Sequence, residues 1–186
     1  RRTAQIVKTV VRGARVYQGG GSVGDGNDLT DKLQGAGGAS VVRLYGAFDT
    51  ADQAGWDKVI DRARKGETQP LQPIKHTADT DQHPVCAALL KHLGAGKKGS
   101  DVREHFKAPP YGWPQDAIDG ALYALVASGH VLALNNLGKV VDAKGLERRQ
   151  ITQSSFKPET VTISPVQKIQ IRKVFPGRQR WLPAGP

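Results

Sequence analysis

The chain has 186 residues, 38% hydrophobic and 24% charged, with 22 glycines, which suits a soluble, loop-rich globular protein of one substantial or two small domains. No run approaches the roughly 18 to 20 apolar residues a membrane span needs, and the opening RRTAQIVKTVV lacks the apolar stretch and cleavage site of a secretory signal. The net charge of +10 sits at the two ends: residues 1–24 and 164–186 each hold five basic residues and no acid, leaving 17 bases against 17 acids between them.

Residues 3–17 place Ile6, Val7, Val10 and Val16 near helical spacing with Arg and Lys opposite, which predicts a helix. The glycine-rich QGGGSVGDGND (18–28) reads as a flexible linker. It lacks the Lys-Ser/Thr of a phosphate loop, and Asp25 and Asp28 would repel phosphate. Asp28 caps a second helix through LTDKLQGAGGASVVRLYGAF, weakened by its internal glycines. DTADQAGWDKVIDRARKG predicts a third, with Asp49 or Thr50 as N-cap and Gly66 as its stop; Trp56, Val59, Ile60 and Ala63 form its core stripe. The polar, proline-containing 67–82 reads as a connector and domain boundary.

HPVCAALLKHL (83–93) predicts a helix with Pro84 in its first turn. GAGKKG reads as a turn, SDVREHFK (100–107) as a helix capped by Ser100, and WPQDAIDGALYALVASG (113–129) as a helix ended by Gly129. HVLALNN and KVVDA suggest a hairpin, with ERRQITQSSF and ETVTIS as further extended segments. SPVQKIQIRKVF (164–175) reads as a helix with Ser164 as cap and Pro165 in its first turn. The expected fold is mainly α with a small β component. A helical segment (1–75) precedes a winged-helix-like unit of helix-turn-helix plus β-hairpin (76–163), and a basic helix and tail (164–186) follow.

Chemistry-bearing patterns are sparse. GAGKKGS (94–100) has the wrong glycine spacing for a phosphate loop and follows a helix instead of a strand. The five histidines form no metal-ligand pattern, and one cysteine excludes the usual zinc sets. No catalytic, cofactor or metal residue is therefore assigned, and no enzymatic activity or cofactor is expected of this chain. Cys86, in an apolar helix, reads as a buried thiol of a reducing, cytoplasmic setting. His83 beside it leaves open a nucleophile for which nothing supplies an oxyanion hole.

Duplex reading by the third helix is disfavoured: Trp113–Gly129 holds no Lys or Arg, while Asp116 and Asp119 repel phosphate. The hairpin tip is better supplied, with Asn135, Asn136 and Lys139, followed by Arg148 and Arg149; Lys168 and Arg172 add basic character near the C-terminus. In APPYGWPQDAID, Pro109 and Pro110 enforce an extended entry, Gly112 permits a bend and Pro114 suits a helix start. Tyr111 and Trp113 are expected to wedge this loop against the preceding helix through Phe106.

The stretches WDKVIDRARKG, HPVCAALLKHLGAGKKGSDVREHFKAPPYGWPQDAIDGALYALVASGHV and ITQSSFKPETVTISPVQKIQIRKVF resemble one family. It is the C-terminal-half region of the large P-loop ATPase of BREX phage-defence systems, of the BrxC/PglY type. The resemblance spans most of residues 50–175, and FKAPPYGWPQDAIDGALYAL is its most specific piece. It implies a role in antiviral defence, in a multi-protein complex that distinguishes self DNA by methylation, and a parent that binds and hydrolyses ATP through a Walker motif elsewhere. No ATP-site residue is carried over, because that motif is not in this sequence. The absence of methionine and the abrupt ends lead us to expect a piece of a longer protein. Two functions are then expected. One is a non-catalytic module contacting other domains of the parent and defence-complex subunits. The other is a DNA-binding winged-helix module using its wing and basic termini. Neither involves a membrane.

Overall fold

Glycine placement divides the helices of this chain. The structure, a computed structural model, describes residues 2–19, 21–23, 26 and 28–159. It is mainly helical with a small antiparallel sheet, as expected, and it splits into two compact units. The first comprises Arg1–Phe48 and Pro109–Gly112; the second comprises Asp49–Ala108 and the chain from Trp113.

In the first unit, α1 (Arg2–Arg12) ends earlier than expected, because Gly13 follows it and Tyr17 is taken by a strand. The strands β1 (Tyr17–Gln18) and β2 (Ser22–Val23) form a hairpin closed by Gly21 at φ +86. Part of the expected linker is therefore structured. The helix α2 (Leu29–Leu44) starts at Asp28, whose side chain accepts the Asp31 N–H at 2.9 Å, as predicted. The amide of Gln18 donates to the Ala36 carbonyl (2.7 Å), Lys32 to Ala14 (3.1 Å) and Arg43 to Gly19 (3.2 Å), so polar ties hold the hairpin and the residues leading into it to α2. No described residue of this unit is buried.

The second unit is built around α6 (Gln115–Ser128), in which every residue from Ala117 to Leu125 is buried. The helix α3 (Trp56–Arg64) packs on it with Trp56, Val59, Ile60 and Ala63 buried, the stripe read from the sequence. Gly120 makes this approach possible, since a Cβ there would lie 2.8 Å from the Trp56 ring. The cap of α3 is Gly55, not Asp49 or Thr50, which lie in a short 3-10 turn. Gly55 sits at φ +114 against the Pro73 carbonyl, where a side chain is disfavoured. Gly66, at φ +73, stops the helix as predicted: its N–H reaches Ala63 O and the Glu67 N–H reaches Arg62 O. Leu71 and Ile74 are buried in this same unit, so the compact division falls at residue 48, upstream of the expected boundary at 75.

The helices α4 (Pro84–Leu93) and α5 (Gly99–Lys107) complete the packing around α6. Four strands follow the order β3-β6-β4-β5: β3 (Lys97–Lys98), β4 (Val131–Leu134), β5 (Val140–Val141) and β6 (Ser155–Pro158). The hairpin β4–β5 is the one predicted. In contrast, GAGKKG is more than a turn, for Lys97 and Lys98 pair with Phe156 and Ser155. Gly99 enters α5 while donating to the Ser154 carbonyl at 2.9 Å, so Lys98, not Ser100, holds the cap position; Ser100 instead donates to Asp101. ERRQITQSSF divides into a 3-10 turn (Arg148–Gln150) and the start of β6. ETVTIS from residue 160 on, and the predicted helix 164–175 with Ser164, Pro165, Lys168 and Arg172, lie outside the described residues.

Trp113 is buried, stacks on Phe106 (centroids 4.7 Å apart, planes at 6°) and donates its N–H to the Phe106 carbonyl at 2.8 Å. Pro114 holds the cap position of α6, and Gly129, at φ +82, ends that helix. Tyr111 belongs to the first unit and is half-buried. There, Gly112 at φ +62 lies so close to the Tyr45 ring that a Cβ would come within 2.5 Å of it. Trp113→Ala should cost the second unit about 3–5 kcal/mol, seen as an earlier urea transition by circular dichroism. An unshifted midpoint would refute its core role.

Candidate nucleic-acid interface

The tip of the β4–β5 hairpin is set by one side chain. The Asn135 Oδ1 accepts the N–H groups of Leu137 (2.9 Å) and Lys139 (3.0 Å), and the Asn135 N–H reaches the Lys139 carbonyl (2.9 Å). Gly138 supplies the positive φ of +72 that the turn needs. Asn135 is thus committed through its oxygen to the turn, while Asn136 and Lys139 project into solvent.

Two adjoining grooves flank this tip. One, of about 520 Å³, is lined by Asn135, Asn136, Lys98, Ser100, Thr152 and Gln153. The other, of about 670 Å³, is lined by Lys97, Lys98, Lys157 and Asp101, among others. Lys98 and Ser155 line both. Three ammonium groups with amide and hydroxyl donors form a surface able to contact phosphate oxygens. Asp101 opposes them with one carboxylate, which accepts the Ser100 hydroxyl at 2.9 Å. Sequence reading missed Lys97, Lys98 and Lys157. The signal was the KK pair between glycines, whose strand pairing is made with residues more than fifty positions away.

Arg148 is not on this surface. Its Nε donates to Asp119 Oδ2 and its Nη1 to Asp57 Oδ1, both at 3.0 Å. Asp119 is fully buried, and Arg103 also binds it through two parallel contacts of 2.9 Å. Asp119 is therefore an internal counter-ion, not the exposed acid expected on the third helix. Only Gln115 of α6 is exposed, so this helix offers no face to a groove of DNA whatever its charge. Arg149 is exposed and pairs with Glu147 at 2.6 Å. Lys139, Asn135 and Asn136 cluster at the tip, whereas Arg148 is held at the α6 side.

No protein-family model, curated protein or solved structure matches the chain.

The thiol and imidazole groups fall elsewhere. Cys86 is fully buried, and burial, followed by the nearby Asp81 charge, pushes its thiol pKa up, so it stays protonated at neutral pH. The His83 Nδ1 accepts the Val85 N–H at 3.3 Å and caps α4. His92 and His105 stack at 3.8 Å, while His76 meets His83 edge-on at 5.0 Å. Among the described residues, no three His, Cys, Asp or Glu side chains come together as a metal-ligand group.

Burial, and then the charge of His76, lower the His83 pKa from 6.5 to about 4. Between these values the unfolded chain binds a proton that the folded chain rejects, so stability is full above pH 6.5 and declines as pH falls toward 4. His83→Asn retains a capping side chain and removes this titration. The urea midpoint of wild type should fall between neutral and mildly acidic pH more than that of His83→Asn. Some slope should persist, because burial and His105 lower the His92 pKa in the same direction. Equal slopes would show that His83 carries no part of the acid sensitivity.

Proposed function

We propose that the chain is a non-catalytic interaction module, docking through its first unit, and that its parent is a BREX anti-phage defence ATPase acting in the cytoplasm. The observation that carries the docking role is the exposure of large aliphatic side chains in a unit without any described buried residue. Ile6, Val7 and Val10 of α1 are 56–67% exposed, and Val41, Val42 and Leu44 of α2 are 52–73% exposed. The second unit, by contrast, buries an aliphatic core around α6, although Leu137 and Val140 of its hairpin are exposed. The FKAPPYGWPQDAIDGALYAL resemblance supports the parentage, and the single buried thiol accords with a reducing compartment. No described helix is long and apolar enough to cross a membrane.

The element order helix, strand, two helices, then hairpin and strand supports a winged-helix-like reading of the second unit. With α6 enclosed, that unit serves as a rigid platform. A second reading, duplex DNA contacted by the wing, is favoured by Lys97, Lys98 and Lys157 around the grooves beside Asn136.

One pair of measurements tests both. The chain should co-elute with the rest of a BREX ATPase or with another BREX subunit on size exclusion, and Val42→Asp should abolish this; failure with every subunit would end the parentage. For the second reading, anisotropy with duplex DNA should show affinity falling steeply from about 50 to about 200 mM salt. Lys98→Ala with Lys157→Ala should lower the logarithmic salt slope by about two. No binding at the lower salt would remove the wing reading.

A further inference from the structure

We propose that α1 is a docking helix that lays its Ile6–Val10 face into an apolar groove with an acidic rim on a partner protein, a specification that rests on the interaction-module reading above. Successive residues of a helix are about 100° apart. On that wheel Ile6, Val10, Thr3, Val7, Val11 and Ala4 fall within an arc of about 160°. Lys8, Arg12, Gln5, Thr9 and Arg2 occupy the opposite side. The apolar arc is open to solvent: Ile6 is 59% exposed, Val7 56%, Val10 67% and Val11 43%, and no residue of the helix is buried.

An eleven-residue helix rich in β-branched residues is marginal in water by itself. Covering the aliphatic arc is what would stabilise it. The charge of the segment selects among covers. Residues 1–24 hold five bases and no acid, so a second copy of α1, or the equally acid-free residues 164–186, would set like charge against like. Nucleic acid would satisfy the bases and leave four aliphatic side chains in water. An anionic bilayer would satisfy both faces, yet interfacial helices use Trp, Phe and Leu to enter the acyl boundary, and this arc has none. A protein groove lined with aliphatic or thioether side chains and edged with carboxylates satisfies the arc and the charge together. The anchors are then spaced i, i+1, i+4 and i+5.

Calcium-loaded calmodulin presents such a groove, and calcium removal closes it, so it is the probe. Isothermal titration of the whole chain into calcium-loaded calmodulin should give saturable micromolar binding, lost on adding a calcium chelator. Val10→Asp should weaken it at least about tenfold, and Lys8→Gln with Arg12→Gln should weaken it and flatten its salt dependence. These positions are exposed, so the urea transition of the second unit should be unchanged, which separates lost docking from lost folding. Absence of calmodulin binding, or binding indifferent to Val10→Asp, overturns the proposal. So does Val10-dependent sedimentation with phosphatidylcholine–phosphatidylglycerol vesicles in place of calmodulin binding, which would assign the face to lipid. Calmodulin is no defence-complex subunit. Val10-dependent binding to it together with failed co-elution would leave the docking helix standing and remove only the BREX parentage.

Discussion

A single buried carboxylate organises the second unit. Asp119 sits in the middle of α6, fully enclosed, and its two oxygens receive Arg103 from α5 and Arg148 from the segment that follows the β4–β5 hairpin. Arg148 continues to Asp57 in the first turn of α3. An ionised carboxylate without partners is too costly to bury, so α6 can occupy the centre only when α5 and the returning segment are in place. The outer Arg148–Asp57 contact is exposed and adds little by itself. The value of the network lies in register: it specifies where three separate segments meet α6. Tyr123 reinforces the same junction by donating to the Leu146 carbonyl at 2.6 Å.

That arrangement decides which surfaces of the second unit remain open. A helix that reads DNA needs one polar face outward, whereas α6 has α3 against it at Gly120 and buried residues around its circumference. The guanidinium of Arg148, which by sequence suits phosphate, is already engaged. Exposed polar groups lie instead at the hairpin tip and the β3–β6 edge, where Lys98 borders both grooves. Those grooves depend on the returning segment too. Gly99 approaches Ile151 so closely that a Cβ would fall 2.0 Å from its carbonyl oxygen, and only the anchored 148–154 stretch offers that fit.

Legibility in the sequence followed the range of the interaction. Helices with local periodicity and local stops, such as α4, α6 and the end of α3 at Gly66, could be read directly, as could the Asp28 cap and the β4–β5 hairpin. The Trp113–Phe106 stack was readable because its partners are seven residues apart and flank a proline-glycine loop. Asp119 was not. Its neighbours Ile118 and Gly120 give no sign that a charge lies inward, and its partners are 16 and 29 residues away. Likewise β3 has only two residues and no alternation, so it exists through its pairing with β6. The candidate surface suffered most, because its lysines come together through that pairing.

The two units divide folding from exposure. The second holds the buried aromatic and aliphatic side chains, so the free energy of its fold resides in contacts that a surface change does not touch. The first is joined by side-chain donors reaching backbone carbonyls, each a modest net contribution when solvent competes. Its helices therefore gain most from whatever covers their aliphatic residues. Low intrinsic stability and an uncovered apolar arc are the same physical fact seen twice. A unit whose described side chains are at most half-buried retains hydrophobic driving force for association. The glycines of α2 fit this division. Gly37 and Gly38 have nothing near the position of a Cβ, so they lower helix stability without enabling any close packing within the described chain.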